Sequence, residues 1–307
     1  MKIGIDLGGT KTEGILIDSS GSELTRKRLN TEKNYQGTMD GIVSLIKEFE
    51  NDFGDVESIG VGMPGCVSND SSLVKNANSV WLNGKPLKID LENTLKRKVI
   101  LENDANCFAL SEAVDGAGKG KSVVFGVIIG TGTGGGIVIN QKVIQGRNNI
   151  AGEWGHITLP NRTEEEKKFN KKCYCERDGC IETYLSGPGF SNCYNLRHGT
   201  NLNSHDIIKD YPNNAKSKFA LEQYVDHLAR GLSVVVNVLD PDIIVLGGGM
   251  SNINYIYETI NEKLKEYVFS DVCHTKVVKN IHGDSGGVRG AAWLSLIPDI
   301  EIYLISK

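Results

Sequence analysis

The stretch LENDANCFALSEA, residues Leu101 to Ala113, places two polar side chains at a predicted boundary between a strand and a helix. The apolar run 98–101 predicts a short buried strand, and apolar residues at helical spacing predict a helix from Ala105 onward. Asn103 and Asp104 would then lie at the carboxyl end of a strand, where open α/β sheets bind ligands. Asp104 could accept the proton of a bound hydroxyl group that Asn103 orients. On this stretch alone, the commoner role of such an Asp is to cap the helix.

A glycine turn near the start of the chain joins two strand-like runs, 2–6 and 12–17, and so predicts a β-hairpin. The turn consists of Gly8, Gly9, Thr10 and Lys11. Glycines allow a phosphate to approach backbone amides, and the Thr and Lys side chains add donors. Asp6 ends the first strand and could hold Mg²⁺ through water. An ordinary hairpin whose turn is capped by Asp6 explains this stretch equally well.

The same device recurs in the middle of the chain. A buried strand is predicted at 123–129, the turn GTGTGGG at 130–136, and a return strand at 137–140. The candidate phosphate-binding residues of this turn are Gly132, Thr133, Gly134, Gly135 and Gly136. The spacing GxGxxG also fits a dinucleotide fingerprint, but the following element is strand-like rather than helical, which disfavours that fold. Two such hairpins predict a duplicated architecture that closes on one polyphosphate.

A cluster of metal-ligand residues follows. His156 ends the segment GEWGH, and Cys173, Cys175 and Cys180 come after a charged insert at 161–172. Three thiolates and one imidazole are the number and type of ligands in a closed tetrahedral zinc site. The cluster therefore predicts zinc, and the neighbouring Glu153 and Glu182 would be free to accept hydrogen bonds from sugar hydroxyls.

Composition excludes several classes of function. The chain has 307 residues, enough for about two domains, and its formal net charge of −4 argues against nucleic acid as a partner. We find neither an apolar run long enough to span a bilayer nor the apolar core of a signal peptide, so we expect a cytoplasmic protein without a membrane partner. Seven cysteines, three of them clustered, fit reduced thiols and a metal better than a disulfide framework.

Two further stretches are candidates for ligand binding. The polar segment KNANSVWLNGKPL at 75–87 predicts a loop that carries Asn78 and Trp81, although asparagines in such loops are more often turn formers. In the last third, a helix at about 220–239 precedes a strand and the turn Gly247-Gly248-Gly249, which could seat an adenine. Residues 283–292 predict a turn that opens a C-terminal helix.

Over nearly its whole length the chain resembles the ROK sugar kinases, members of the actin/hexokinase-like superfamily. The matching motifs are DLGGTK, ENDANCFALSEA, IGTGTGGG, GEWGH, the CxC-x4-C cluster and LGGGMSN. The resemblance implies an α/β fold of the two-domain actin/hexokinase-like (ribonuclease H-like) type, with a deep interdomain cleft. It implies a small domain of residues 1–118 plus about 291–307, and a large domain of residues 119–290 that carries the zinc-binding loop. It is also compatible with a homodimer.

The resemblance also assigns roles, residue by residue. Asp104 would be the general base, and Asn103, Glu153, His156 and Glu182 would bind sugar. The first glycine turn and residues 132–136 would face the phosphates of ATP, and residues 247–249 the nucleotide base. His156 and the three clustered cysteines would bind a structural zinc. Glu176 departs from the family pattern, which usually has Gly after the second Cys, and this leaves the conformation of that loop open.

The expected activity is ATP-dependent phosphorylation of a hexose primary hydroxyl with Mg²⁺. The segment 75–87 and the residues SEAVDGA at 111–117 look most like bacterial fructokinases of the family, so D-fructose is the expected substrate, with N-acetylglucosamine, glucose or mannose as alternatives. Trp81 and the nearby asparagines would form a crowded polar wall that disfavours an acetamido group. A sugar-responsive repressor would need a DNA-binding element before DLGGT, and an actin-like filament protein would not need the sugar-site carboxylates.

Overall fold

The structure is a computed structural model that describes residues 1–283 and 286–296. Twelve strands form the frame of this described part. In chain order they are β1 (Lys2–Leu7), β2 (Lys11–Ile17), β3 (Glu23–Asn30), β4 (Ser58–Met63), β5 (Cys66–Val67), β6 (Val74–Lys75), β7 (Ile100–Asn103), β8 (Val123–Ile129), β9 (Thr133–Ile139), β10 (Lys142–Val143), β11 (Ile243–Gly247) and β12 (Lys276–Lys279).

Within the described residues, two five-stranded sheets have the same topology. Their strand orders are β3-β2-β1-β4-β7 and β10-β9-β8-β11-β12. In each sheet a glycine hairpin supplies the antiparallel pair, β1 with β2 and β8 with β9, and the next strands add in parallel. The predicted duplicated architecture is confirmed.

The helices cover and join these sheets. They are α1 (Tyr35–Phe53), α2 (Leu87–Leu95), α3 (Asp104–Val114), α4 (Glu164–Lys168), α5 (Glu182–Leu185), α6 (Gly187–His198), α7 (Ser204–Asp210), α8 (Ala215–Leu239), α9 (Asn254–Lys265) and α10 (Gly286–Trp293). Residues 284, 285 and 297–307 lie outside the described part of the chain, so part of the predicted C-terminal turn and most of the predicted C-terminal segment of the small domain lie there too.

Helices α3 and α10 pack against each other between the two sheets, α3 on β8 and β9 and α10 on β1 and β4. Glycines permit this close approach, because a Cβ at Gly126 would lie 2.6 Å from the Ala109 Cβ and one at Gly136 would lie 2.7 Å from the Ala105 carbonyl oxygen. The core accordingly divides into one cluster for each lobe and a third where α3 and α10 meet both sheets. The domain division at residue 118 stays a prediction.

In the described part of the chain, no helix is long and apolar enough to cross a membrane.

Candidate active site

At the junction between β7 and α3, Asn103 rather than Asp104 caps the helix. Asn103 is the N-cap of α3, since its Oδ1 accepts hydrogen bonds from the backbone N–H of Ala105 at 2.9 Å and of Asn106 at 3.4 Å. Its Nδ2 donates to the Gly65 carbonyl at 3.0 Å. Asp104 is the first residue of the helix, so the N-cap role considered for it is wrong. The helix does not need the Asp104 carboxylate as its cap, which leaves this group available for chemistry.

Carboxylates concentrate at this edge of the first sheet. Removal from water raises the pKa of Asp104 to about 6; the Ala105 amide opposes this shift and the charge of Glu153 adds to it. Burial and the charges of Asp104 and Glu13 raise the pKa of Asp6 to about 7. Mutual repulsion of buried charges is relieved by a proton or by a cation, so this edge suits both proton transfer and Mg²⁺.

The first glycine turn is exposed to solvent, and hydrogen bonds to its backbone fix its conformation. The Gly8 amide donates to the Lys11 carbonyl at 3.0 Å, and the Thr31 hydroxyl donates to the Gly8 carbonyl at 2.8 Å. A Cβ at Gly9 would lie 3.3 Å from the Ser79 Oγ, which is buried without a hydrogen-bond partner in the described residues. Ser79 belongs to the loop at 75–87, so the fold brings that loop to the first turn. Sequence reasoning missed Ser79.

The second glycine turn is shorter than predicted. It comprises Gly130 to Gly132, closed by a 2.9 Å hydrogen bond from the Gly130 amide to the Gly132 carbonyl, and residues 133–136 belong to β9. The prediction that they form a turn is wrong, because these glycines serve the close packing of the strand against α3 and the Gly152 backbone. Glu182 fixes the turn, since its Oε2 accepts a hydrogen bond from the Thr133 amide at 2.9 Å.

A cavity of about 590 Å³ opens beside this turn. Its lining comes from four separate segments: Gly130, Thr131, Gly187, Pro188, Ser204, His205, Ile208, Gly249, Met250, Asn252 and Ile253. The first turn of α6 faces this cavity, and the Gly187 amide donates to the Gly130 carbonyl at 2.8 Å. A helix N-terminus favours anionic groups. Turn, helix N-terminus and cavity together fit a nucleotide with its phosphates.

The third glycine turn contributes one residue to that cavity. Gly249 lines it with open space around its Cα, whereas Gly248 adopts a φ of 81° against the Ile129 carbonyl and Gly247 packs under the Phe108 ring. Ser204 and His205 were missed from sequence because no local motif marks them, and Thr131 and Asn252 were not singled out although they lie in the motifs IGTGTGGG and LGGGMSN.

The predicted metal cluster is assembled. The ligand atoms of His156, Cys173, Cys175 and Cys180 all lie within 4.8 Å of one another. The Cys175 and Cys180 sulfurs are 3.5 Å apart, and the His156 Nδ1 is 3.6 Å from the Cys173 sulfur. In a tetrahedral site with Zn–S bonds near 2.3 Å, sulfur atoms lie about 3.8 Å apart. The donor set and its spacing fit zinc.

Glu176, the residue that departs from the family pattern, adopts a φ of 69°. This left-handed region favours glycine. The loop therefore keeps the turn that a glycine would make easily and imposes it on a glutamate. The departure costs conformational energy, while the four predicted metal ligands still lie together.

Two of the expected sugar ligands flank this cluster. Glu153 is exposed and comes just before the short 3₁₀ turn Trp154–His156, whose buried Trp154 ring packs edge-on against Phe125 at 5.9 Å. Glu182 begins α5. The segments that carry them are pinned together, since the Ile181 amide donates to the Ile157 carbonyl at 2.9 Å.

Tyr174 lies over His156, and sequence reasoning missed it. Its hydroxyl is 2.9 Å from the His156 Nε2, and the two rings meet edge to face with centroids 5.1 Å apart. Partial desolvation and the charges of Glu182, Cys173 and Glu153 raise the pKa of Tyr174 to about 12. This tyrosine therefore stands beside the expected sugar carboxylates.

The segment 75–87 does not form the predicted wall. Trp81 packs against the core of the first lobe, and its Nε1 donates to the Thr38 hydroxyl of α1 at 3.0 Å. Asn83 closes a turn through both the amide and the carbonyl of Ala77, each at 2.9 Å. Asn78 is exposed. The crowded wall that argued against an acetamido group therefore lacks its main member.

Two α/β lobes of equal topology, each with a glycine hairpin, are the arrangement of the actin/hexokinase-like class. The sequence model of the ROK family matches residues 2–297, and the chain belongs to the ROK family. It is similar to the ROK hexokinase of Thermus thermophilus, with a TM-score of 0.84 and 27% identity over 96% of this chain and 97% of that one. The ROK family glucokinase of Streptomyces griseus, solved in complex with glucose and AMPPNP, gives a TM-score of 0.77 and 26% identity over 95% and 97%.

Among curated proteins, the N-acetyl-D-glucosamine kinase of Vibrio parahaemolyticus is 39% identical over 96% of this chain and 100% of its own length. The predicted fold and family are thereby confirmed, and the class of the protein is that of the ROK sugar kinases. The expectation of a fructokinase is wrong, because the full-length relatives are N-acetyl-D-glucosamine kinases. That expectation rested on the resemblance of segments 75–87 and 111–117 to fructokinases and on a polar wall around Trp81, a side chain that instead packs against the core of the first lobe.

Proposed function

We propose that the chain is an ATP-dependent N-acetyl-D-glucosamine kinase that phosphorylates the primary hydroxyl of the sugar. The observation that carries this proposal is the 39% identity to the Vibrio parahaemolyticus enzyme across 100% of that enzyme's length. The positions of the candidate residues in the cleft support the same reaction.

Asp104 is the general base of this proposal. Its pKa of about 6 leaves the carboxylate mostly ionised at neutral pH, yet more basic than an ordinary aspartate. A base whose pKa lies near the working pH combines availability with proton affinity. Phosphoryl transfer depends mainly on positioning and charge stabilisation, so one base and a rigid cleft are sufficient protein chemistry.

ATP would lie with its base in the cavity beside Gly249 and its phosphates between the two glycine turns. Gly8 to Lys11 would contact the phosphates from the first lobe, and Gly130 to Thr133 from the second. Asp6 would hold Mg²⁺ through water, and the bound ion would supply positive charge to the phosphates. The raised pKa of Asp6 supports this role, because a cation would relieve the repulsion that raises it.

The sugar would lie against Asn103, Glu153, His156 and Glu182, with Asn78 at the edge of the site. Zinc would be held by His156, Cys173, Cys175 and Cys180, where it would fix the segments that carry the sugar ligands. Glu182 also holds the second glycine turn at Thr133, so one carboxylate would couple the sugar site to the phosphate site.

ADP release with N-acetylglucosamine, glucose, mannose and fructose as acceptors tests the proposal, with a reaction lacking sugar as control. N-acetylglucosamine should give the highest kcat/KM, by tens- to hundreds-fold over the others, which is the discrimination common for a pocket left unfilled by a missing small group. A preference for glucose or mannose would contradict the substrate and keep the kinase. Absence of sugar-dependent ADP release would contradict both.

A further inference from the structure

The two ring nitrogens of His156 have different surroundings. Nδ1 faces the sulfur cluster, 3.6 Å from the Cys173 Sγ. Nε2 is therefore the ring nitrogen left for a partner outside the sulfur cluster. A sugar hydroxyl that contacts the His156 ring must therefore meet Nε2.

That nitrogen is already occupied. The Tyr174 hydroxyl lies 2.9 Å from Nε2, within hydrogen-bond distance. No other described group lies within hydrogen-bond distance of this Nε2. An enzyme that binds sugar through His156 cannot keep this contact unchanged.

Tyr174 is free to move. Its side chain is 80% exposed, and its ring touches the site only edge-on, at 90° to the imidazole and 5.1 Å from its centre. The backbone of this loop is held by hydrogen bonds from the Cys173 amide to the Arg177 carbonyl at 3.1 Å and from the Glu176 amide to the Cys173 carbonyl at 2.9 Å. Rotation of one side chain therefore clears Nε2 without moving the loop.

We propose that Tyr174 is a displaceable gate on the sugar site, whose hydroxyl occupies the His156 Nε2 in the sugar-free enzyme and leaves when a sugar hydroxyl binds. This inference rests on the proposed function, since it takes the sugar to lie against His156. It makes Tyr174 a positioning residue that lowers the affinity for sugar. Because the same contact is broken for every sugar, the affinity for different hexoses falls by the same factor.

The test is Tyr174→Phe, which keeps the ring and removes the hydroxyl. Sugar dissociation constants measured by titration calorimetry should fall about fivefold, the factor for one net protein hydrogen bond that no longer has to be broken. The factor should be equal for N-acetylglucosamine and glucose, while kcat, KM for ATP and metal content stay unchanged. Tyr267→Phe is the matched control, because it removes a hydroxyl that donates to Asp226 at 2.5 Å, outside the site, and it should leave sugar affinity unchanged.

An unchanged or weakened sugar affinity in Tyr174→Phe would overturn the gate; weakened affinity would make the hydroxyl a ligand of the sugar. Nitrogen-15 NMR of the His156 ring adds a readout that needs no turnover. The Nε2 signal of the wild type and Tyr174→Phe should differ without sugar and coincide at saturating sugar. Equal signals without sugar would overturn the gate alone, whereas failure of every hexose to bind would overturn the gate and the proposed function together.

Discussion

The two sheets place different residues at the same position. Asp6 of β1 pairs with Glu13 across the first hairpin, one residue before the last pair of that hairpin. Ile128 of β8 has the corresponding position in the second hairpin, where it pairs with Gly134. The first sheet thus ends in acids and the second in apolar residues and glycine. The duplicated frame leaves the chemistry to the side chains at the strand ends.

Because the two edges differ in charge, we expect them to have different functions in the reaction. The acidic edge of the first lobe would remove a proton and hold Mg²⁺, whereas the neutral edge of the second lobe opens into the large cavity beside Gly130. Variants on the two edges should therefore fail in different ways. Those of the first edge should lose turnover, and those of the second should lose nucleotide affinity.

The largest effect is expected for Asp104→Asn. Turnover should fall by on the order of 10² to 10⁴, because the base is lost while the volume of the side chain stays. Steady-state kinetics would measure this loss, and calorimetry with a non-hydrolysable ATP analogue should give wild-type affinity. Near-normal turnover would assign Asp104 a structural role and remove the functional difference between the two edges.

The same variant has a stability signature that works as its control. The folded enzyme raises the pKa of Asp104 from 3.8 to about 6, so the folded state binds this proton more tightly than the unfolded chain. Wild-type stability therefore falls as pH rises across that interval, and Asp104→Asn escapes the loss. Above pH 6 its free energy of unfolding should exceed the wild-type value by on the order of 2 kcal/mol, with no gain below about pH 4. A lower stability at pH 8 would mean that the variant is damaged and its kinetics uninformative.

The predicted zinc loop lies in the second lobe but would serve the sugar site of the first, so it sharpens the comparison. Cys175→Ser should lose metal, and sugar affinity should weaken by about 10- to 100-fold as the segments with Glu153 and Glu182 loosen. Nucleotide affinity should change little, because none of the cluster residues lines the cavity. Metal analysis and sugar calorimetry check both points; a metal-free wild type, or full sugar affinity without metal, would contradict the role given to zinc.

The smallest effect is expected at the neutral edge. Gly249 has open space around its Cα, so Gly249→Val should fold normally and project its methyl groups into the cavity. KM for ATP should rise about tenfold, equivalent to about 1.4 kcal/mol of lost binding, with sugar affinity unchanged. Gly249→Ala is the matched smaller change and should have less effect. An equal loss of sugar affinity and ATP affinity in Gly249→Val would show that the two edges do not have separate functions.

Local patterns predicted most of the frame. Strand alternation at 2–6 predicted the first hairpin, and the apolar run at 123–129 with its glycine turn predicted the second. The strand and helix around Asn103 and Asp104 were located to within about two residues. The prediction of a turn at 133–136 was wrong because it relied on the rule that glycine is rare in strands. Glycine is needed there for a tertiary contact, the close approach of α3 to Gly136. Local sequence cannot reveal such an approach.

The metal-ligand cluster was predicted because its residues have a recognisable spacing, whereas Ser204 and His205 were missed because they lie in a separate segment without a motif. His156 and its three cysteines were found through their spacing and chemistry. The position of Trp81 was predicted wrongly because its hydrogen-bond partner Thr38 lies on α1, 43 residues earlier in the chain. Tyr174 was missed because its possible role follows from its contact with His156, which only the fold creates.

The pH dependence of wild-type kcat/KM for N-acetylglucosamine tests the central claim most directly, because it reports the protonation of the proposed base without removing an atom. The account predicts an acid limb with unit slope and a pKa near 6, unaffected by raising Mg²⁺ at saturating ATP. A limb that moves with Mg²⁺ would belong to Asp6, whose own pKa is about 7. A flat profile from pH 5 to 8 would contradict the assignment of Asp104 as the base and the acidic edge as the place of proton transfer.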